Sequence, residues 1–104
     1  MAAAESEYAF ETEFINGVFG TGIYSLTVSR KGAADMRALG VTIPDVTFIL
    51  MNGRVVRSDM LDRRGLWDVR GETVEGIELE LTVAVISCEC DVELLEILVV
   101  KEKR

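Results

Sequence analysis

The sequence predicts one α+β domain, in which N-terminal helices pack on one face of a four- to five-stranded, mainly antiparallel sheet. Apolar residues recur at helical spacing in the first half of the chain and at every second residue from Arg54 onward. The 104 residues fit one domain, and no repeat, proline-rich linker or low-complexity tract divides them. We therefore expect a single core built by residues 1–104.

The first predicted element is a short helix. Residues 5–15 alternate polar and apolar side chains as a strand does, but three of the apolar ones also fit one helical face, which favours a helix. The pair Asn16-Gly17 and the glycines in the segment 20–22 then predict turns. A short strand is predicted at Ile23–Val28.

Two further helices are predicted before the sheet-forming half. The segment Ala33–Leu39 is rich in good helix formers and stops at Gly40, because glycine readily adopts the left-handed conformation that follows a helix. The next helix begins with the capping-box-like pair Thr42 and Asp45 and ends at Asn52. Its apolar residues form one stripe at helical spacing, as expected of a helix that lies on a sheet.

Four successive strands are predicted in the second half: Val55–Leu61, Leu66–Arg70, Ile77–Ile86 and Val92–Val100. The third alternates apolar and polar residues, which is typical of an antiparallel strand with one buried and one solvated face. The fourth is apolar on nearly both faces. We expect it at the centre of the sheet, beneath the helices.

The composition argues against several kinds of site. The chain has no histidine and two cysteines, Cys88 and Cys90, so the usual tetrahedral zinc site cannot be assembled within it. No cofactor is expected, because the glycines at 17, 20 and 22 match neither a dinucleotide fingerprint nor a P-loop. No metal is expected either, because the carboxylates that could bind one interleave with arginines and can pair with them; they are Asp59, Asp62, Asp68 and Glu72. The serines have no histidine to activate them, which argues against a serine hydrolase.

Hydropathy predicts a protein without a membrane span. No apolar run approaches the roughly 20 residues that cross a bilayer. The first residues, 1–7, lack the basic and apolar regions of a secretory signal. These features favour a cytoplasmic location and no membrane partner.

Charge is unevenly distributed along the chain. The formal net charge of −7 argues against a general nucleic-acid binder. Residues 30–70 nevertheless hold eight basic and five acidic side chains. If Arg57 and Arg70 lay on one exposed sheet face near Lys31 or Arg37, they would form a phosphate site able to stabilise an oxyanion without histidine. Local pairing of these cations with neighbouring aspartates is the alternative.

A resemblance supports such a site. The residues Met36, Gly40-Val41, Asp45-Val46 and 52–56, together with the segment 67–76, resemble the motifs of a family of small bacterial domains similar to BrnT-type toxins. That family shares the RelE-like fold of messenger-RNA-cleaving toxins. Lys31 stands where the family has its histidine.

The resemblance implies a RelE/BrnT-like protein of a toxin–antitoxin or mobile-element system, acting through an antitoxin-like protein partner. RNA is the candidate substrate, so that an enzyme of this kind would be a ribonuclease. Its site would comprise Lys31, Arg54, Arg57 and Arg70, with the arginines holding phosphate and Lys31 stabilising charge or transferring a proton. Asp35 stands at one of the family's arginine positions.

Two other functions remain open. The first is a non-catalytic inhibitor, immunity or anti-defence protein whose acidic surface binds a basic, nucleic-acid-handling target protein. That surface would comprise Glu5, Glu7, Glu11, Glu13, Glu72, Glu75, Glu78 and Glu80. The second is a homodimer formed by pairing of an exposed sheet edge, without an activity of its own.

Overall fold

The computed structural model describes residues 7–21, 24–61, 64–87 and 93–102. In order they form α1 (Ala9–Thr21), β1 (Tyr24–Val28), α2 (Arg30–Leu39), α3 (Ile43–Asn52), β2 (Arg54–Leu61), β3 (Arg64–Glu72), β4 (Glu78–Ser87) and β5 (Glu93–Glu102). The five strands make one sheet in the order β1-β5-β4-β3-β2, in which β1 is parallel to β5 and the other pairs are antiparallel. The helices lie on one face, so the predicted α+β fold is confirmed. None of the described helices is long and apolar enough to cross a bilayer.

Helix α1 is longer than the sequence predicts. It continues through the Asn16-Gly17 pair, where a turn is expected, because tertiary contacts outweigh the low helix propensity of these residues. The side-chain amide of Asn16 donates to the carbonyl oxygens of Leu50 (2.8 Å) and Gly53 (3.3 Å). Ile15 on the same helix is fully buried. The predicted turn is therefore wrong.

The caps of the next two helices follow the sequence closely. Ser29 caps α2 by accepting the backbone N–H of Gly32 (3.0 Å), so this helix starts three residues earlier than predicted. It ends at Gly40, whose φ of 69° lies in the left-handed region, as expected. At the start of α3 the carboxylate of Asp45 accepts the backbone N–H of Thr42 (2.9 Å), which confirms the predicted cap.

The sheet has a covered face and an open face. Val69 on β3, Leu81 on β4 and Ile97 on β5 point toward the helices and are fully buried. Because side chains alternate along a strand, their neighbours in sequence point to the opposite side, which we call the open face. β4 is the middle strand, and β5 lies one place further out, between β4 and β1, so its expected central position is corrected by one strand.

Candidate functional site

The four candidate site residues lie in two separate parts of the fold. Lys31 belongs to α2, which packs on β5. Arg54 and Arg57 lie on β2, and Arg70 lies on β3. The strands β3 and β4 separate β2 from β5, a distance of about 14 Å for three strand spacings. The structure therefore places the three arginines on two neighbouring strands and leaves Lys31 apart from them.

Sheet register explains how the arginines meet. Arg54 is directly opposite Arg70, and Arg57 is directly opposite Asp68. A register shift after Val55 keeps Arg54 and Arg57 on the same open face, although three positions separate them. Like charges directly opposite each other destabilise a sheet, so the pair of Arg54 and Arg70 needs compensation from a neighbouring strand.

That compensation comes from Glu80. Register places Glu80 between Arg70 on one side and Lys101 on the other. Its carboxylate oxygens lie 3.0 Å from Nη2 of Arg70 and 3.8 Å from Nζ of Lys101. The Glu80 side chain is 8% exposed. Its expected place on an exposed acidic surface is therefore wrong, because the two basic side chains cover it.

Two more of the candidate cations are held by carboxylates. The amine of Lys31 lies 2.9 Å from Oδ1 of Asp35, one helical turn away. The Nε atom of Arg57 lies 2.9 Å from Oδ2 of Asp59, on the same strand. Both pairs are exposed at the basic end, so each contributes little to stability. Each nevertheless reduces the positive charge available to a phosphate.

Asp35 also anchors α2 to the sheet. Its Oδ2 accepts the backbone N–H of Val100 on β5 (3.0 Å). The hydrogen bond from Lys31, followed by the hydrogen bond from the Val100 N–H, lowers the pKa of the Asp35 carboxyl below its ordinary value of 3.8. Lys31 and Asp35 thus form a structural contact between α2 and β5.

An open cleft of about 440 Å³ lies where β2 begins and β3 ends. Its lining includes Arg54, Arg70, Glu72, Glu78 and the ring of Phe48. Arg54 is exposed and makes no ion pair with another described residue. The arginine end of the cleft can bind an anionic oxygen, and the glutamate end can bind a cation.

The turn between β3 and β4 forms an ordered acidic tip, made of Glu72, Glu75 and Glu78. The backbone N–H of Thr73 donates to the carbonyl of Ile77 (2.9 Å), and the Thr73 hydroxyl accepts the Ile77 N–H (3.2 Å). The tip also carries the largely exposed Val74. It therefore carries one exposed apolar side chain in a turn with three carboxylates.

The remaining members of the expected acidic surface lie elsewhere. Glu7 and Glu13 are exposed on α1 or just before it, and Glu11 is partly buried. Glu5 lies outside the described residues, as do Cys88 and Cys90. Among the described residues no three potential ligands are grouped to hold a metal ion.

Sequence reasoning did not find Glu72 and Glu78 as cleft residues. Their positions on either side of the predicted turn could have indicated this, because residues that flank a hairpin turn become cross-strand neighbours. The structure pairs them directly. Glu80 carried no comparable signal, since its burial depends on basic residues from two other strands.

The residues that carry the BrnT resemblance have local structural roles. Met36 is buried in the core, Gly40 ends α2, and Asp45 caps α3. These roles account for the shared motif through folding alone, so the resemblance stays a prediction. The chain matches no protein-family model and no curated protein.

Proposed function

We propose that this chain is a non-catalytic inhibitor or immunity-type protein that acts in the cytoplasm by binding a basic, nucleic-acid-handling target. One observation carries the proposal: carboxylates hold three of the four cations that a phosphate-cleaving site would use, namely Lys31, Arg57 and Arg70. A phosphate at these positions would have to displace carboxylates already in place. At Arg70 it would also compete with the 3.0 Å ion pair to the buried Glu80, and weakening a buried ion pair is costly.

The acidic tip is the surface best suited to a basic target. Two backbone hydrogen bonds close its turn, from the Thr73 N–H to Ile77 and from the Gly76 N–H to Thr73, which reduces the conformational entropy lost on binding. Val74 supplies an apolar contact at its centre, and Glu72 and Glu75 beside it are exposed. The net charge of −7 would speed the approach of a basic partner.

Controlled expression in a bacterial host tests the absence of catalysis. We expect normal growth and intact total and messenger RNA, because three of the four candidate cations are already paired with carboxylates. Growth arrest with cleaved RNA would contradict the proposal and favour a toxin. A catalytically silent chain should also leave purified messenger RNA intact in vitro, which removes the dependence on a particular host.

Charge reversal tests the docking surface. Glu72→Lys with Glu75→Lys should weaken binding of a co-purifying basic protein at least tenfold, and the loss should shrink at high salt because screening removes the electrostatic term. Glu7→Lys with Glu13→Lys changes the net charge equally on α1 and is the matched control. Equal weakening by both pairs would assign the effect to net charge and contradict a specific site at the tip.

A second candidate function is the RelE/BrnT-like toxin acting on RNA and paired with an antitoxin-like protein. The observation that favours it is that Arg54 and Arg70 are cross-strand neighbours and both line the open cleft, since two arginines on one cleft suit a phosphate. Arg54→Ala should abolish RNA cleavage in this case, while Arg57→Ala should leave it largely intact. Toxicity that survives Arg54→Ala would refute this candidate.

A further inference from the structure

β1 forms an edge of the sheet whose backbone is open to a new partner. It pairs with β5 on one side, and the described residues place no strand on the other. The N–H of Ser29 donates to the carbonyl of Ile97 on β5 (2.8 Å). Because successive N–H groups point to opposite sides of a strand, those of Leu26 and Val28 point away from β5.

The opposite edge of the sheet is protected. The N–H of Val55 on β2 donates to the hydroxyl of Thr12 on α1 (2.9 Å), so a helix covers the start of that edge. The register shift after Val55 and the charged pair of Arg57 and Asp59 discourage pairing along the rest. β1 has no such shift in its register with β5.

An apolar groove of about 330 Å³ runs beside the open edge on the covered face. Val28, Met36, Val41 and Ile43 supply apolar lining, and no described residue of β5 contributes to it. Val28 belongs both to this lining and to the β1 edge, so the groove adjoins the place where an added strand would lie. Side chains from alternate residues of that strand would point into it.

One charged side chain, Arg37, lines the groove. It is exposed and makes no ion pair with another described residue. The carboxylate of Asp45, next to the groove, already accepts the backbone N–H and the hydroxyl of Thr42, so Arg37 is the charged group that the groove offers to a bound segment. An acidic group on the bound segment would complement it.

We infer that the edge of β1 and the adjoining groove bind an extended segment of another protein, with apolar side chains at alternate positions and a carboxylate that meets Arg37. The bound segment adds a strand to the sheet, so backbone hydrogen bonds hold it and the groove selects its side chains. A second copy of this chain fits less well. β1 itself reads Tyr-Ser-Leu-Thr-Val, which offers no carboxylate, and pairing two copies would bring two chains of charge −7 together. This surface is separate from the acidic tip and does not depend on it.

Synthetic peptides test the inference directly. The probe alternates valine and threonine and ends in aspartate with an amidated terminus; the comparison peptides end in asparagine or lysine. With isotope-labelled protein, the amide signals of Leu26 and Val28 should shift on titration and their hydrogen exchange should slow. The aspartate peptide should bind about fivefold more tightly than the asparagine peptide. Shifts that map to β2, or no saturable shift with any peptide, would overturn the inference.

Charge reversal assigns the role of Arg37. Arg37→Glu should reverse the preference, so that the lysine peptide binds more tightly than the aspartate peptide. Arg54→Glu makes the same charge change at the opposite edge and should leave the preference unaltered. Leu26 and Val28 amides that are already protected without peptide, in a protein that sediments as a dimer, would identify a second copy as the occupant and overturn the assignment to another protein.

Discussion

Removal of Arg70 should destabilise the fold through the carboxylate that it leaves behind. Glu80 is buried, with Nη2 of Arg70 3.0 Å from one carboxylate oxygen and Nζ of Lys101, which is more than half exposed, 3.8 Å from the other. Loss of one partner of a fully buried ion pair costs about 3–5 kcal/mol. Arg70 is about one-third exposed and Lys101 remains, so we expect Arg70→Met to cost about 2–3 kcal/mol of unfolding free energy.

Urea unfolding measures this cost, and the fluorescence of a native tryptophan can be used to follow it. Trp67 is the sole tryptophan and packs edge-on against Phe14, with ring centroids 5.7 Å apart, so its fluorescence should report the loss of the core. Lys101→Ala, which removes the longer and more exposed contact, is the control and should cost less than about 0.5 kcal/mol. The melting temperature of Arg70→Met should fall by about 10 °C.

A double variant distinguishes the cost of a buried carboxylate that has lost an ion-pair partner from the cost of lost side-chain packing. Arg70→Met combined with Glu80→Leu should return to within about 1 kcal/mol of the parent, because a buried ion pair replaced by apolar residues of similar size is often neutral. If the costs of the two single changes instead added in the double variant, or if Arg70→Met cost no more than Lys101→Ala, the reasoning would be refuted. Arg70 would then be free to bind a ligand.

Three further predictions concern α1 and α2. Gly17→Ala should raise the unfolding free energy by about 0.5–1 kcal/mol in the same urea assay, because an added Cβ meets nothing within 4 Å and alanine favours a helix. A lower unfolding free energy would show that the α1 backbone is not helical at this position. Gly32→Ala should destabilise, since its Cβ would lie 2.7 Å from the carbonyl oxygen of Ile97, and unchanged stability would refute the close approach of α2 to β5. Asp35→Asn should cost most at neutral pH. The lowered pKa of Asp35 means that its contribution is present above pH 3.8 and is lost as pH falls through the still lower folded-state value, so urea curves of the two proteins should converge in acid.

Local signals in the sequence were sufficient for the helix boundaries that depend on caps. Gly40 and the pair of Thr42 and Asp45 act within one helical turn, so their effect can be predicted from spacing alone. The course of α1 could not be predicted in this way. Asn16 is a poor helix former in isolation, and it stays helical because its amide reaches carbonyls 34 and 37 residues further along the chain.

In the candidate site, too, local features could be predicted from the sequence and contacts between distant residues could not. Alternation correctly assigns Arg70 and Glu80 to the solvent side of their strands, away from the core. It does not reveal that register places Glu80 between Arg70 and Lys101, which together remove it from solvent. The separation of Lys31 from the arginines depends on the strand order, which alternation also leaves undetermined. Short-range chemistry was thus predictable, and the meeting of distant residues was not.

The position of β5 in the sheet also determines the order in which the strands can pair during synthesis. β2, β3 and β4 are consecutive antiparallel neighbours, so they can pair as soon as each has been synthesised. β1 precedes them but has to wait for β5, which it meets 69 positions later in the register of Tyr24 with Glu93. On a ribosome, the N-terminal helices and β1 would therefore emerge beside a three-stranded meander before the sheet can close. Insertion of β5 between β4 and β1 joins the two parts, and a chain stalled before β5 would leave strand edges exposed on both sides of the missing strand.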